Sequence, residues 1–174
     1  ASGQMNNTIV VVHGDHGYQL GEKACWTKHT NFELGTRVPL IIRAPFKAAS
    51  VGRHFSAPVE IVDLYQTLAE LAGVSKPEAS VQGKSLARVF DNPVAPSFAD
   101  FVAYSQYDRC PKDPTSADPV LKYNGACKKS NRTDLGYMGY TIRTSGWRYT
   151  AWMAWDGAKL RGRWEDCSKE SGGA

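Results

Sequence analysis

The chain has 174 residues, of which 42% are hydrophobic and 22% charged, and its formal net charge is +4. That length can bury one real core, and no apolar run reaches the roughly 18 residues that a membrane-spanning helix needs. The positive charge is small and scattered, without a basic run interleaved with aromatics, which argues against nucleic acid and weakly for an anionic substrate.

Taken in order, the first element is a strand over residues 8–12, TIVVV, which stops abruptly at His13-Gly14-Asp15-His16-Gly17. A run of β-branched residues predicts a parallel strand covered on both faces. Gly14 and Gly17 are expected to let the backbone turn sharply and come close to a ligand. Asp15 and His16 would then stand at the carboxyl end of a strand, where open α/β sheets place their sites. Lys28 and His29 follow one loop later, and residues 38–43 predict a second buried strand between Pro39 and Pro45. Two or three such strands (8–12, 38–43 and 101–106) cannot cover one another, so the expectation is the C-terminal part of a larger α/β protein.

A small-residue connection leads to a helix predicted over residues 58–72, with Ile61, Leu64, Tyr65, Leu68 and Leu71 on one face, Ser56 as cap and Gly73 as stop. Residues 91–100 form a Pro-containing linker, and FVAYSQYDR reads as another strand. A polar loop over 108–134 holds Cys110 and Cys127. Residues 137–155 then alternate aromatic and polar side chains around Ser145-Gly146, a β-hairpin pattern. Residues 156–174 lose all pattern.

Several residue types suit chemistry. Asp15 offers a hard oxygen to calcium or magnesium, and His16 a softer second ligand. Lys28 would hold an anionic oxygen and offset developing charge. Tyr18 would form an aromatic wall against a sugar ring, or the base of a loop. His13 and His29 read as local hydrogen-bonding residues. Cys110 and Cys127 flank a loop of roughly 16 residues, whose crosslinking would contribute about 3 kcal/mol. No C-x-x-C spacing suggests zinc, and Cys25 and Cys167 cannot be paired. The sequons at Asn131 and Asn6 suggest an exported glycoprotein. Asn131 is the better acceptor, because Asn6 enters the first strand.

The ordered set D-H-G, Gly21-Glu22, W-x-K-x-x-N-F (Trp26, Lys28, Asn31, Phe32) and V-P-L-I resembles the sulfatases of the alkaline-phosphatase superfamily, most closely their iduronate-2-sulfatase group. The V-D-L-x-x-T-L-x-x-L-A-G helix, the F-V-A-Y-S-Q-Y strand and the M-G-Y-T-I-R-T and W-R-Y-T pieces extend the resemblance over most of residues 8–155. It implies an α/β chain, the C-terminal part of an alkaline-phosphatase-like sulfatase fold with a small antiparallel β subdomain. Residues 1–95 would be the incomplete main domain, 96–155 the subdomain, and 156–174 a divergent or truncated tail.

The resemblance further implies that Asp15 and His16 are ligands of one calcium ion and that Lys28 binds the sulfate. The nucleophile of such enzymes is a formylglycine made from the Cys of C-x-P-x-R or C-x-A-x-R. Its hydrate attacks sulfur and later eliminates sulfate. None of the four cysteines has that setting, so this chain alone is expected to be inactive and to need the rest of a sulfatase chain for folding. The substrate would be a sulfated sugar of a glycosaminoglycan or related polysaccharide, and the protein secreted or lysosomal. Two alternatives stand beside this: a phosphoester or phosphonate monoester hydrolase of the same superfamily, and a non-catalytic sugar-binding fragment.

Overall fold

The computed structural model describes residues 3–75, 78, 80–93, 101–111, 123–124, 127 and 131–163. Most of the linker, most of the Cys110–Cys127 loop, and the tail from residue 164 with Cys167 lie outside them. The chain divides into two compact units that interleave along the sequence. One takes residues 1–15, 38–103 and 143–147. The other takes 16–37, 104–142 and 148–174.

In the first unit, β1 (Val10–His13) pairs with β2 (Leu40–Arg43) in a two-stranded sheet. The pairing is antiparallel, with Val10 opposite Arg43 and Val12 opposite Ile41. This corrects the expectation of parallel strands covered on both faces. A β-branched run reports strand propensity; it fixes neither direction nor burial. Because side chains alternate across the pleat, Val12 and its partner Ile41 share one face and are 55% and 63% exposed, whereas Val11 and Ile42 share the other and are half-buried.

The helix is shorter than the 58–72 expected. A 3-10 turn at Ile61–Asp63 precedes α2 (Leu64–Leu71). The start is set by a reciprocal cap in which the Glu60 amide donates to the Asp63 carboxylate at 3.3 Å, so Ser56 is not the cap. Gly73, at φ 66°, follows the helix. The buried face carries Leu64, Thr67, Ala69 and Leu71, while Ile61 and Tyr65 are exposed. Thr67 is polar yet wholly buried, and it is satisfied twice: its hydroxyl donates to the Asp63 carbonyl at 2.7 Å and accepts the Leu86 amide at 2.9 Å. Leu71 packs with Ala44 and with Ala87 of α3 (Ala87–Asp91). A second cluster joins Ala57, Leu86, Val89 and Phe101.

The second unit contains α1 (Glu33–Thr36) and a five-stranded sheet. Its strands are β3 (Ala103–Pro111), β4 (Tyr123–Asn124), β5 (Tyr137–Arg143), β6 (Arg148–Asp156) and β7 (Arg161–Gly162). The order across the sheet is β4-β3-β5-β6-β7, and β3 pairs with β4, and β6 with β7, antiparallel. The stretch expected as a third parallel strand, 101–106, therefore belongs to this sheet, beginning at Ala103. The β5–β6 turn falls on Ser145-Gly146, where Thr144 and Trp147 exchange hydrogen bonds at 2.8 and 3.0 Å. Cys110 and Cys127 are joined by a disulfide, Cα atoms 5.5 Å apart. Gly139 is required by a close approach: a Cβ there would lie 2.8 Å from the Trp152 ring. Together the units make a mixed chain of short helices and antiparallel sheets.

Candidate active site

The D-H-G turn leaves β1 with the Gly14 amide on the Pro39 carbonyl at 3.2 Å. His13 turns its Nδ1 onto the neighbouring Gly14 carbonyl at 3.0 Å and is exposed. Asp15, the last residue of the first unit's opening segment, is also exposed. An exposed carboxyl residue is of the type that a hard cation takes as a ligand.

Residues His16–Arg37 belong to the second unit. Gly17 donates its amide to the Gly35 carbonyl at 3.0 Å. A Cβ at Gly17 would lie 2.0 Å from the Leu34 carbonyl oxygen. The close approach that the structure shows at this glycine is to the backbone around α1.

His16 and Lys28 are brought together. The His16 Nδ1 lies 2.8 Å from the Gly17 carbonyl, and since a carbonyl only accepts, Nδ1 carries the proton. The lone pair is therefore on Nε2, where the Lys28 ammonium donates at 2.5 Å. A backbone acceptor that fixes the tautomer in this way is the usual means of presenting one imidazole nitrogen to a metal. Asp15 and His16 each offer one donor atom of a type that a metal can take, and the His16 Nε2 lone pair is held here by the Lys28 ammonium, which an ion would have to displace. Two such donors complete no calcium shell, which takes six to eight oxygens, so further ligands must come from elsewhere.

The loop before Lys28 is braced by residues that sequence reasoning missed. Gln19 is wholly buried. Its amide donates to the Thr27 carbonyl at 3.0 Å, its side chain donates to the Glu22 carbonyl at 3.2 Å, and it accepts the Thr30 hydroxyl at 2.7 Å. The Glu22 carboxyl is held below its ordinary pKa by backbone amides, its own first and then that of Leu20, which donates at 2.6 Å. Nothing in the pattern marks Gln19 as buried, because a glutamine in a loop ordinarily faces water.

Past Lys28, Asn31 is 5% exposed and donates Nδ2 to the Gly139 carbonyl at 3.0 Å. Arg148, the first residue of β6, donates to the Asn31 carbonyl at 2.7 Å, to Glu33 at 2.6 Å and to the Thr36 hydroxyl at 3.2 Å. The His29 ring lies 6.3 Å from that of Tyr107. Burial first, and Asp108 second, push the Tyr107 hydroxyl above its ordinary pKa, against the pull of Arg109. Arg109 itself lies 4.9 Å from the Tyr107 ring and 5.1 Å from that of Trp152.

Each of the remaining candidates has its own setting. Tyr18 is exposed. Asn6 lies in an exposed 3-10 turn, Gln4–Asn7, and not in a core strand as expected. Asn131 is exposed and its side chain closes a reciprocal cap with Asp134. Among the described residues Cys25 is the free thiol. Asp108, Cys110 and Cys127 place donor atoms within 4.8 Å of one another, but the disulfide removes both thiolates that a metal would need.

Residues 1–74 match the family model described as Sulfatase. The chain is 32% identical to iduronate 2-sulfatase of Mus musculus over 92% of its own length and 35% of that protein's. It is 32% identical to the Homo sapiens iduronate 2-sulfatase over 87% of its length and 33% of the relative's. An N-acetylglucosamine-6-O-sulfatase of Bacteroides thetaiotaomicron is 41% identical over 52% of the chain and 16% of that protein. The chain spans about a third of the length of the iduronate 2-sulfatases it matches. By these matches the chain is a relative of the sulfatases, and its likeness to the iduronate 2-sulfatases runs through nearly all of its length.

Proposed function

We propose that the intact protein carrying this chain is a sulfuric ester hydrolase resembling iduronate 2-sulfatase, which removes sulfate from a sulfated sugar of a glycosaminoglycan or related polysaccharide. The observation that carries this reading is the 2.5 Å contact between the Lys28 ammonium and the His16 Nε2, inside the segment that matches the sulfatase family. On this reading the chain supplies the C-terminal part of an alkaline-phosphatase-like fold, with residues 1–95 in the main domain and 96–155 in the subdomain. The rest of the protein is needed for folding and activity.

Lys28 binds the sulfate group, its ammonium donating to the non-bridging oxygens and offsetting charge that builds on the ester as the S–O bond breaks. Its half-buried setting raises the value of that charge by limiting competition from water. Asp15 and His16 are ligands of one calcium ion. When bound, the ion would supply fixed positive charge beside the sulfate, and a formylglycine elsewhere in the protein would supply the nucleophile. Tyr18 offers its exposed ring to the sugar. The disulfide and the exposed sequon at Asn131 fit a secreted or lysosomal glycoprotein, and among the described residues no helix is long and apolar enough to cross a membrane.

The test is release of sulfate from sulfated uronate disaccharides and from para-nitrophenyl sulfate by the intact protein, before and after calcium chelation. Asp15→Ala, His16→Ala and Lys28→Ala should each lower kcat/KM by about a hundredfold or more. Chelation should abolish turnover and calcium should restore it. Release of phosphate from para-nitrophenyl phosphate in place of sulfate would move the protein to phosphoester hydrolysis. Saccharide binding without turnover would make it a binding protein.

A further inference from the structure

A lysine on a flexible four-carbon stem is a well-placed catalytic cation only if both its backbone and its head are held. In this structure the head of Lys28 rests on the His16 Nε2, the lone pair that a bound calcium ion would take, so in the loaded protein the hold on the lysine's backbone matters most. Its backbone is held through α1: a Cβ at Gly35 would lie 3.1 Å from the Lys28 carbonyl oxygen, so α1 packs directly on the peptide that carries the lysine. What fixes α1 and the Asn31 peptide is Arg148, whose guanidinium reaches three acceptors spread over residues 31, 33 and 36. Two of the three contacts are side chain to side chain, and the Glu33 contact is charge-assisted and partly shielded from water.

We propose that Arg148 is a positioning residue for Lys28: from the start of β6 it clamps the Asn31–Thr36 segment and so sets where the Lys28 ammonium stands. The proposal rests on the sulfate-binding role given to Lys28 above. A planar guanidinium is needed, because a lysine cannot reach three acceptors with one compact head.

The experiment is a double-mutant cycle in the intact protein, with sulfate release from para-nitrophenyl sulfate as one readout and amide hydrogen exchange over residues 27–37 as the other. Arg148→Ala should lower kcat/KM about tenfold to hundredfold, the usual range for a displaced catalytic group. Arg148→Lys should recover only part of that. In a Lys28→Ala background Arg148→Ala should cost nothing further, because the two losses share one route. Exchange should quicken over residues 27–37 and stay unchanged in α2. Losses that add in the double variant, or full rescue by Arg148→Lys, would overturn the positioning role. Should the unsubstituted protein release no sulfate, the hydrolase reading falls by itself, and exchange alone then decides the clamp: unchanged protection over residues 27–37 in Arg148→Ala overturns it, and quickening confined there supports it.

Discussion

Asn31 donates its side-chain amide to the main-chain carbonyl of Gly139 at 3.0 Å, across 108 residues of chain. Asn31 is almost wholly buried, so removing its side chain leaves the Gly139 acceptor without that partner in a place water reaches poorly. Asn31→Ala should cost about 1–3 kcal/mol in urea unfolding of the intact protein. Asn31→Asp should cost more, since a carboxylate there faces a carbonyl oxygen. An Asn31→Ala midpoint equal to that of the parent would refute this.

Gly17 and Gly146 make a matched pair. Neither has a positive φ, yet a Cβ at Gly17 would sit 2.0 Å from the Leu34 carbonyl oxygen, whereas one at Gly146 meets nothing within 4 Å. Backbone cannot step aside as a flexible side chain can. Gly17→Ala should therefore destabilise by several kcal/mol or prevent folding, and Gly146→Ala should stay within about 0.5 kcal/mol of the parent. Thermal unfolding of the two variants side by side checks the contrast.

The Cys110–Cys127 disulfide closes a span of 17 residues. Replacing both cysteines with serine should lower stability by about 2–4 kcal/mol, as expected for a loop of that length. Denaturant midpoints of the double variant against the parent measure it, and addition of a reductant to the parent should reproduce the shift.

Asp156 gives a pH signature. Its carboxyl lies below the ordinary value of 3.8, chiefly because the Lys159 amide donates to it at 3.0 Å, with the Lys159 charge and the Ala158 amide adding. A depressed folded pKa stabilises the folded state above the unfolded pKa, and this contribution fades as pH falls through the folded value. The parent should thus be more stable than Asp156→Asn at pH 6, and the gap should close progressively below about pH 4. Urea midpoints from pH 6 to pH 2.5 would show it, and a gap independent of pH would refute it.

Local chemistry is what the sequence makes legible. The hairpin of β5 and β6, with its turn at Ser145-Gly146, can be read from alternating aromatic and polar residues, since that alternation is the pleat itself. The W-x-K-x-x-N-F segment can be picked out, but what its Asn31 does cannot, because its partner is a main-chain carbonyl that leaves no mark on side-chain pattern. The direction of β1 against β2 is hidden for a related reason: β-branched residues suit either pairing. The start of α2 is misplaced because Glu60 and Asp63 cap it from within the stretch that reads as continuous helix. Arg148 lies in the W-R-Y-T piece, but nothing in that pattern marks what its guanidinium grips. An arginine opening a strand looks like surface charge until the chain brings α1 beside it.

The bonds that Arg148 makes also set a schedule. It lies 117 residues after the Asn31 carbonyl it grips. At about 5–20 residues per second, a ribosome that has just made Asn31 needs roughly 6 to 23 seconds to reach Arg148. Throughout that interval the lysine loop exists without its clamp, so its full bracing waits on a contact between residues far apart in sequence.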